Sequence, residues 1–184
     1  MNGLTAAVAA DVLMRPTVPE DADAMLRAYL RNREHLRPWD PHREESFFTL
    51  EAQRARAADR VAELEAGRGV PWVLVREDEI VGTVTISAVV PGHVRSALLG
   101  YWIDAAMAGR GLATAAAALA CRAADEELGL HRLEAGAAVA NTGSQRVLAK
   151  CGFERIGVAR DYLFLDGKWC DHVLFQRILN DRRP

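Results

Sequence analysis

What most restricts the folding of this chain is a strand-like run that breaks at two glycines and continues as an alanine-rich helix, "LGYWIDAAMAGRGLATAAAALACRAADEEL". Gly109 and Gly111 follow an apolar run that ends near Asp104, and Ala113, Ala115, Ala116, Ala117, Ala118 and Ala120 keep the helix thin. The first-turn amides of such a helix have no carbonyl partners, and their dipoles converge outward. Glycine at 109 and 111 lets a ligand approach the backbone without meeting a Cβ, and Thr114 adds a hydroxyl. A phosphate or pyrophosphate is the ligand this geometry favours. The same glycines would also serve merely to start a helix, and the run alone does not choose between the two readings.

The flanking patterns supply the layers. "DVLMRP" reads as a short strand stopped by Pro16, and "PEDADAMLRAYLRN" opens with Pro19 and acidic residues before Ala22, Met25, Leu26, Tyr29 and Leu30 recur at helical spacing. A second helix runs through "TLEAQRARAADRVAELEAG" to Gly67. From Val70 the period becomes two: "VPWVLVREDEIVGTVTISAVV" is a hairpin, "SALLGYWID" a further strand. Beyond the alanine-rich helix come strand "HRLEAGAAV", helix "TGSQRVLAKCG" and a terminal strand pair joined at Asp166 and Gly167, a dipeptide suited to a two-residue turn with positive φ at both positions. The sum is a mixed sheet covered by helices, an α+β or three-layer α/β/α fold. Residues 12–178 are expected to form one domain, with 1–11 a flexible N-terminal tail and 179–184 a C-terminal tail.

Composition narrows the partners. The 184 residues are 50% hydrophobic, enough for a sizeable core, and the formal charge of −2 with interspersed signs gives little support for nucleic-acid binding. "MNGLTAAVAADVLM" lacks a basic n-region and a long apolar h-region, and no run approaches a membrane span, so a cytoplasmic location with no membrane partner is expected. Cys121, Cys151 and Cys170 are far apart in apolar surroundings, which suits small buried hydrophobes. His35, His42, His93 and His131 do not form metal-ligand spacing with nearby Cys or acids, so no metal is expected. Nothing chooses between monomer and homodimer.

Two phosphate motifs fit poorly. A P-loop needs Gly-Lys-Ser or Gly-Lys-Thr, and none occurs; the dinucleotide fingerprint wants a third glycine where this chain has Thr114. A second cluster points elsewhere. In "NTGSQRVLAKCGF", Asn141 ends a strand and caps a helix, Val147, Leu148 and Cys151 form its inward stripe, and Gly152 stops it. Gly109, Arg110, Gly111, Leu112, Ala113 and then Thr114 resemble the acetyl-coenzyme A pyrophosphate loop of the GNAT acyltransferase superfamily. The Asn141 to Phe153 segment is similar to the superfamily's following helix, where an asparagine and a serine, here Asn141 and Ser144, face the pantetheine arm. "NREHLRPWDP", "EELGLHRLEA" and "ARDYLFLDGKWCDHVLF" resemble, in order, the branch of ribosomal-protein alanine and serine N-terminal acetyltransferases (RimJ/RimL-like), over Val12 to Ile178. One departure stands out: Ala108 occupies a loop position that is usually Gln or Arg.

The resemblance implies a mixed sheet splayed between two central parallel strands, the ones ending near Asp104 and beginning near His131, with pantetheine between them. It implies acetyl-coenzyme A as cofactor, no metal, and direct transfer to an amine, with an amide of Ile103 or Asp104 as oxyanion donor. Glu134 is the leading candidate base, a charge early on a strand beside the cleft; a salt bridge to Arg132 is the alternative. Ser144 could donate to the departing thiolate, hydrogen-bond pantetheine, or only stabilise a helix start. Unbulged counting from the Asp166–Gly167 turn puts Asp161 opposite His172 and Tyr162 opposite Asp171, so His172 is either an imidazole held for proton transfer or half of a structural cross-strand pair.

Leu36 and Trp39, with Tyr101 nearby, are candidates to wall a peptide groove, or else pin their segment to the core. By resemblance the acceptor is the α-amine of a protein beginning with a small residue such as alanine, in a ribosomal protein. A small-molecule amine is the alternative acceptor, and a non-catalytic coenzyme A sensor the third reading.

Overall fold

The alternating run from Val70 forms the middle of the sheet because successive residues meet helix layers on opposite faces. The computed structural model describes residues 2–183. Its strands are β1 (Ala6–Ala9), β2 (Val12–Pro16), β3 (Val70–Arg76), β4 (Glu79–Val90), β5 (Ser96–Ile103), β6 (Arg132–Ala138), β7 (Glu154–Leu165) and β8 (Lys168–Ile178). Its helices are α1 (Ala22–Arg31), α2 (Arg33–Leu36), α3 (Leu50–Glu65), α4 (Leu112–Glu126) and α5 (Thr142–Lys150). The sheet order is β1-β2-β3-β4-β5-β6-β8-β7, antiparallel throughout except for β5 with β6.

That parallel pair is short. Ser96, Ala97 and Leu98 face Arg132, Leu133 and Glu134, after which β5 runs on to Ile103 and β6 to Ala138 without pairing. The crossover between them is α4, as a parallel connection requires. Ala116, Ala117, Ala120 and Ala124 of α4 are fully buried against Val84, Ile86 and Leu99. Small side chains let the helix ride close to the sheet. On the other face Met25, Ala28 and Tyr29 of α1 pack with Phe47, Val73 and Ile80. This is the expected three-layer arrangement, with a mixed sheet splayed at its parallel pair.

Asp104 ties the end of β5 to that second layer. It is 2% exposed, and its carboxylate accepts from Arg31 Nε at 2.7 Å, Asn32 Nδ2 at 2.9 Å and the Ala106 amide at 2.9 Å. Asn32 Oδ1 in turn accepts from the Ala105 amide at 2.9 Å. Burial alone would raise the carboxyl's pKa; the hydrogen bonds from Asn32, Arg31 and Ala106 outweigh it and hold Asp104 below the ordinary carboxylate range.

Three expectations are corrected. The N-terminal segment is not a free tail: Ala6–Ala9 pairs with β2, Leu4 is buried, and its carbonyl accepts from Trp72 Nε1 at 2.8 Å. The C-terminal segment is also held, Leu179 by the His131 carbonyl at 2.8 Å and Asn180 Nδ2 by Asp125 Oδ1 at 2.7 Å. Met1 and Pro184, at the ends of those supposed tails, lie outside the described residues. The terminal hairpin turns as expected, with φ of 46° at Asp166 and 79° at Gly167 and Leu165 opposite Lys168. Its register then shifts: His172 pairs with Ala159 and not with Asp161, because Arg160, Asp161 and Tyr162 together span a single step of β8. Cys121 and Cys151 are buried, as expected for core cysteines, and Cys170 is half-buried.

Replacing Asp104 by Ala strands the donors of Arg31 and Asn32, and a loss of roughly 2–3 kcal/mol in unfolding free energy is expected. A group depressed in the folded state stabilises it above the unfolded pKa, and this contribution fades as pH falls through the folded value. Chemical denaturation of wild type should therefore show stability falling below about pH 4, with Asp104→Asn losing that component. An unchanged acid limb in the variant would refute it.

Candidate active site

The parted strands open into a cleft of about 440 Å³. Its floor is the end of β5, at Tyr101, Trp102 and Ile103; one wall is the loop through Ala108, Gly109 and Gly111 into the first turn of α4; the other is α5. Gly109 has φ +78° and Gly111 φ +79°, a left-handed conformation that costs other residues about 1 kcal/mol. A Cβ at either glycine would meet nothing within 4 Å, so the space above the backbone is open to a ligand. Gly111 caps α4 without a side-chain hydrogen bond, which leaves the amides of Leu112, Ala113 and Thr114 aimed into the cleft mouth. Arg146 and Lys150, one turn apart on α5, face the same cleft, and among the described residues no carboxylate lines it. An anion fits this field.

At the inner end, backbone direction matters. The Asp104 amide donates to the Val81 carbonyl at 2.9 Å, on the β4 side. Successive amides of a strand point to opposite edges, so the Ile103 N–H, one residue earlier, turns toward the gap between β5 and β6. Beside it, Tyr101 Oη lies 2.9 Å from Ser144 Oγ and donates to the Ser144 carbonyl at 3.2 Å. Asn141 Oδ1 accepts from the Ser144 amide at 3.0 Å, capping α5. Burial pushes the Tyr101 phenol up to about 12, against the lowering effect of its Ser144 hydrogen bond. The pair is therefore a neutral, proton-bearing hydroxyl couple at working pH.

The chain matches the acetyltransferase (GNAT) domain over residues 11–154. The chain belongs to the GNAT acetyltransferase family. It is 34% identical to the [Ribosomal protein uS5]-alanine N-acetyltransferase of Escherichia coli (strain K12), covering 94% of this chain and 90% of that one. It is also 34% identical to the probable N-acetyltransferase YjcK of Bacillus subtilis (strain 168), covering 92% and 94%. Among solved structures, the ribosomal-protein-S5-alanine acetyltransferase of Vibrio fischeri superposes with a TM-score of 0.94 at 30% identity, over 98% and 99% of the two chains. Mycobacterium smegmatis RimJ in complex with CoA-disulfide gives 0.86 at 36% identity, over 91% and 81%. This protein is thus a GNAT acetyltransferase closely related to the ribosomal-protein alanine enzymes.

Within this acetyltransferase the sequence-predicted residues divide. Leu36, Trp39 and Tyr101 all line the cleft, as do Ile103, the glycine loop through Thr114, Asn141 and Ser144. Asp104 and Arg110 do not. The Asp104 carboxylate points into the fold and its amide is already bonded, which removes it as an oxyanion donor; the Arg110 guanidinium turns to Met107 Sδ at 3.1 Å and Asp11 at 3.7 Å. Glu134 sits on the last paired rung before the strands part and lies 2.7 Å from Arg132, the alternative reading of that residue. His172 is 5% exposed, and its Nδ1 lies 3.0 Å from the Cys170 carbonyl. A carbonyl only accepts, so Nδ1 carries the hydrogen and Nε2 is the basic nitrogen. Neither Glu134 nor His172 borders the cleft.

Arg146 and Lys150 escaped sequence reasoning, although their i, i+4 spacing beside the Asn141 cap was the available signal. They supply charge where Ala108 cannot. Among the described residues no group of three or more His, Cys, Asp or Glu side chains is placed to hold a metal ion, and no helix is long and apolar enough to cross a membrane.

The buried phenol offers a direct check. Ultraviolet difference titration of wild type against Tyr101→Phe should assign one tyrosine ionising near 12, against about 10 for an ordinary phenol. Ionisation of Tyr101 at the ordinary value would mean that its hydroxyl is open to water.

Proposed function

We propose that this acetyltransferase moves the acetyl group of acetyl-coenzyme A to the α-amine of a protein N-terminus, one with a small first residue such as alanine, in a ribosomal protein. The observation that carries the reading is the gap between β5 and β6, with an anion cradle at its mouth and a free Ile103 amide at its inner end. The relatives named as acting on ribosomal-protein alanine support the acceptor class.

The residues present fit the cofactor. The open backbone at Gly109 and Gly111, the first-turn amides of α4 and the cations Arg146 and Lys150 would hold its pyrophosphate. When bound, acetyl-coenzyme A supplies an activated acetyl thioester. The Ile103 N–H is directed to stabilise the negative charge that gathers on a carbonyl oxygen as an amine attacks. The carbon–nitrogen bond forms, the carbon–sulfur bond breaks, and the Tyr101–Ser144 hydroxyl couple gives a proton to the departing sulfur. The amine loses one proton in return. An α-amine has a pKa near 8, well below about 10.4 for lysine, so at neutral pH roughly a tenth of it is already neutral against less than about a thousandth of a lysine, and water can serve as the first acceptor. Glu134 and His172 lie off the cleft, and either would receive that proton only through water.

Mass spectrometry after incubation with acetyl-coenzyme A and total ribosomal protein tests the acceptor: one acetyl group on the α-amine of a small-first protein is expected. Labelling confined to internal lysines, or to small amines alone, would overturn it. Ser144→Ala should lower kcat by about 100-fold with little change in coenzyme A affinity; a raised dissociation constant with unchanged kcat would reduce Ser144 to a binding group. Gly111→Glu should weaken coenzyme A binding by calorimetry at least about 100-fold, or about 2.7 kcal/mol, in a protein folded by circular dichroism. Gly111→Asn, which tolerates the left-handed conformation without adding charge, should lose far less. Equal affinities would refute the cradle.

A further inference from the structure

Where β5 and β6 part, the sheet face opposite α4 and α5 is bare. Counting on from the last pair, Leu98 with Glu134, sets Gly100 abreast of Gly136, both exposed. A Cβ at Gly100 would meet nothing within 4 Å, whereas one at Gly136 would lie 3.8 Å from ring carbons of both Tyr162 and His172. This glycine floor is open on the β5 side and walled on the β6 side.

Tyr162 forms that wall because β7 bulges. Ala159 pairs with His172 and Leu163 with Cys170, so Arg160, Asp161 and Tyr162 share the step of Asp171. An unbulged strand would set Tyr162 opposite Asp171, on the face away from His172. The bulge turns it to His172's face, with ring centroids 5.3 Å apart. The turn has a local cost: Asp161 takes φ +46°, and the Asp171 carboxylate holds its amide at 2.9 Å. Bulges beside active sites commonly re-aim a side chain in this way. Tyr162 nevertheless stays 49% exposed, so the ring is presented to the floor and not sealed into the core. On the same face the segment after α2 reaches the hairpin, with Pro41 bridging to Leu165 and Arg37 Nη1 3.1 Å from Asp166. A peptide start entering between them would bring its amine to the parted strands and its first side chain to Tyr162.

We infer that Tyr162 is a specificity-determining residue, a ring held over the glycine floor that sets the upper size of the acceptor's first side chain. This rests on the peptide α-amine reading above. The test is steady-state kinetics on peptides that differ only in their first residue, Gly, Ala, Ser, Val or Leu. Wild type should prefer the small ones. Tyr162→Ala should raise kcat/KM for the Leu peptide relative to the Ala peptide at least about 10-fold, mainly through KM, with coenzyme A affinity unchanged, since a pocket that admits or rejects a methylene or more discriminates on this scale. Tyr162→Phe should keep the wild-type ratio, which separates ring size from any role of the hydroxyl. Tyr162→Leu carries the same test should the alanine variant not fold. An unaltered Leu-to-Ala ratio in a folded variant, with wild type active on small-first peptides, overturns the inference alone. A wild type that acetylates no peptide of the panel overturns the peptide reading, and this inference falls with it.

Discussion

Two parallel strands that pair for three residues and then separate leave donors and acceptors along both lips with no ladder partner, and the rest of the structure answers to that edge. Beyond Leu98 and Glu134, β5 continues from Leu99 to Ile103 and β6 from Ala135 to Ala138. Backbone groups left unpaired away from water cost about 1–3 kcal/mol each, so the gap must hold solvent or a ligand with complementary polarity. Closing it into a ladder would satisfy those groups more cheaply. Something must therefore hold it open. On one side Asp104 fastens the end of β5 to α1, outward from the gap. On the other, Tyr101 reaches to Ser144 on α5, the helix that follows β6, and acts as a strut across the opening.

The alanines of α4 belong to the same solution. A crossover helix that lies close to the sheet brings its N-terminus down to the level of the strand ends, and there the amides of Leu112 and Ala113 share a cleft with Ile103. Bulkier residues at Ala116, Ala117 or Ala120 would lift the helix and separate the anion cradle from the inner end. The tight core and the reactive geometry are thus one constraint, which the sequence states as a run of small residues.

Much of this was legible because the signals were local. The glycine loop, the Asn141 cap and the Asp166–Gly167 turn each depend on residues within a turn of one another, and each took the expected form. The misses depended on distant partners. Ala6–Ala9 carries too little pattern to announce a strand, and is fixed by Leu4 meeting Trp72 across the sheet. Nothing near Asp104 in sequence reveals that Arg31 and Asn32 will claim its carboxylate. The three-residue bulge of β7 is set by Asp171, ten residues beyond Asp161, and no turn rule at the hairpin tip anticipates it.

The splayed sheet also works as an electrostatic partition. On the α4 and α5 side, Arg146 and Lys150 face a cleft without carboxylates among the described residues. Across the sheet, Glu134 is neutralised by Arg132, and His172 holds its hydrogen on the nitrogen turned to the Cys170 carbonyl. The positive field therefore belongs to the helix side of the gap, where the first-turn amides of α4 lie, and the opposite face carries a compensated ion pair. One face of the gap is thus set to hold an anion while the other presents glycine backbone, and the two meet where β5 and β6 part.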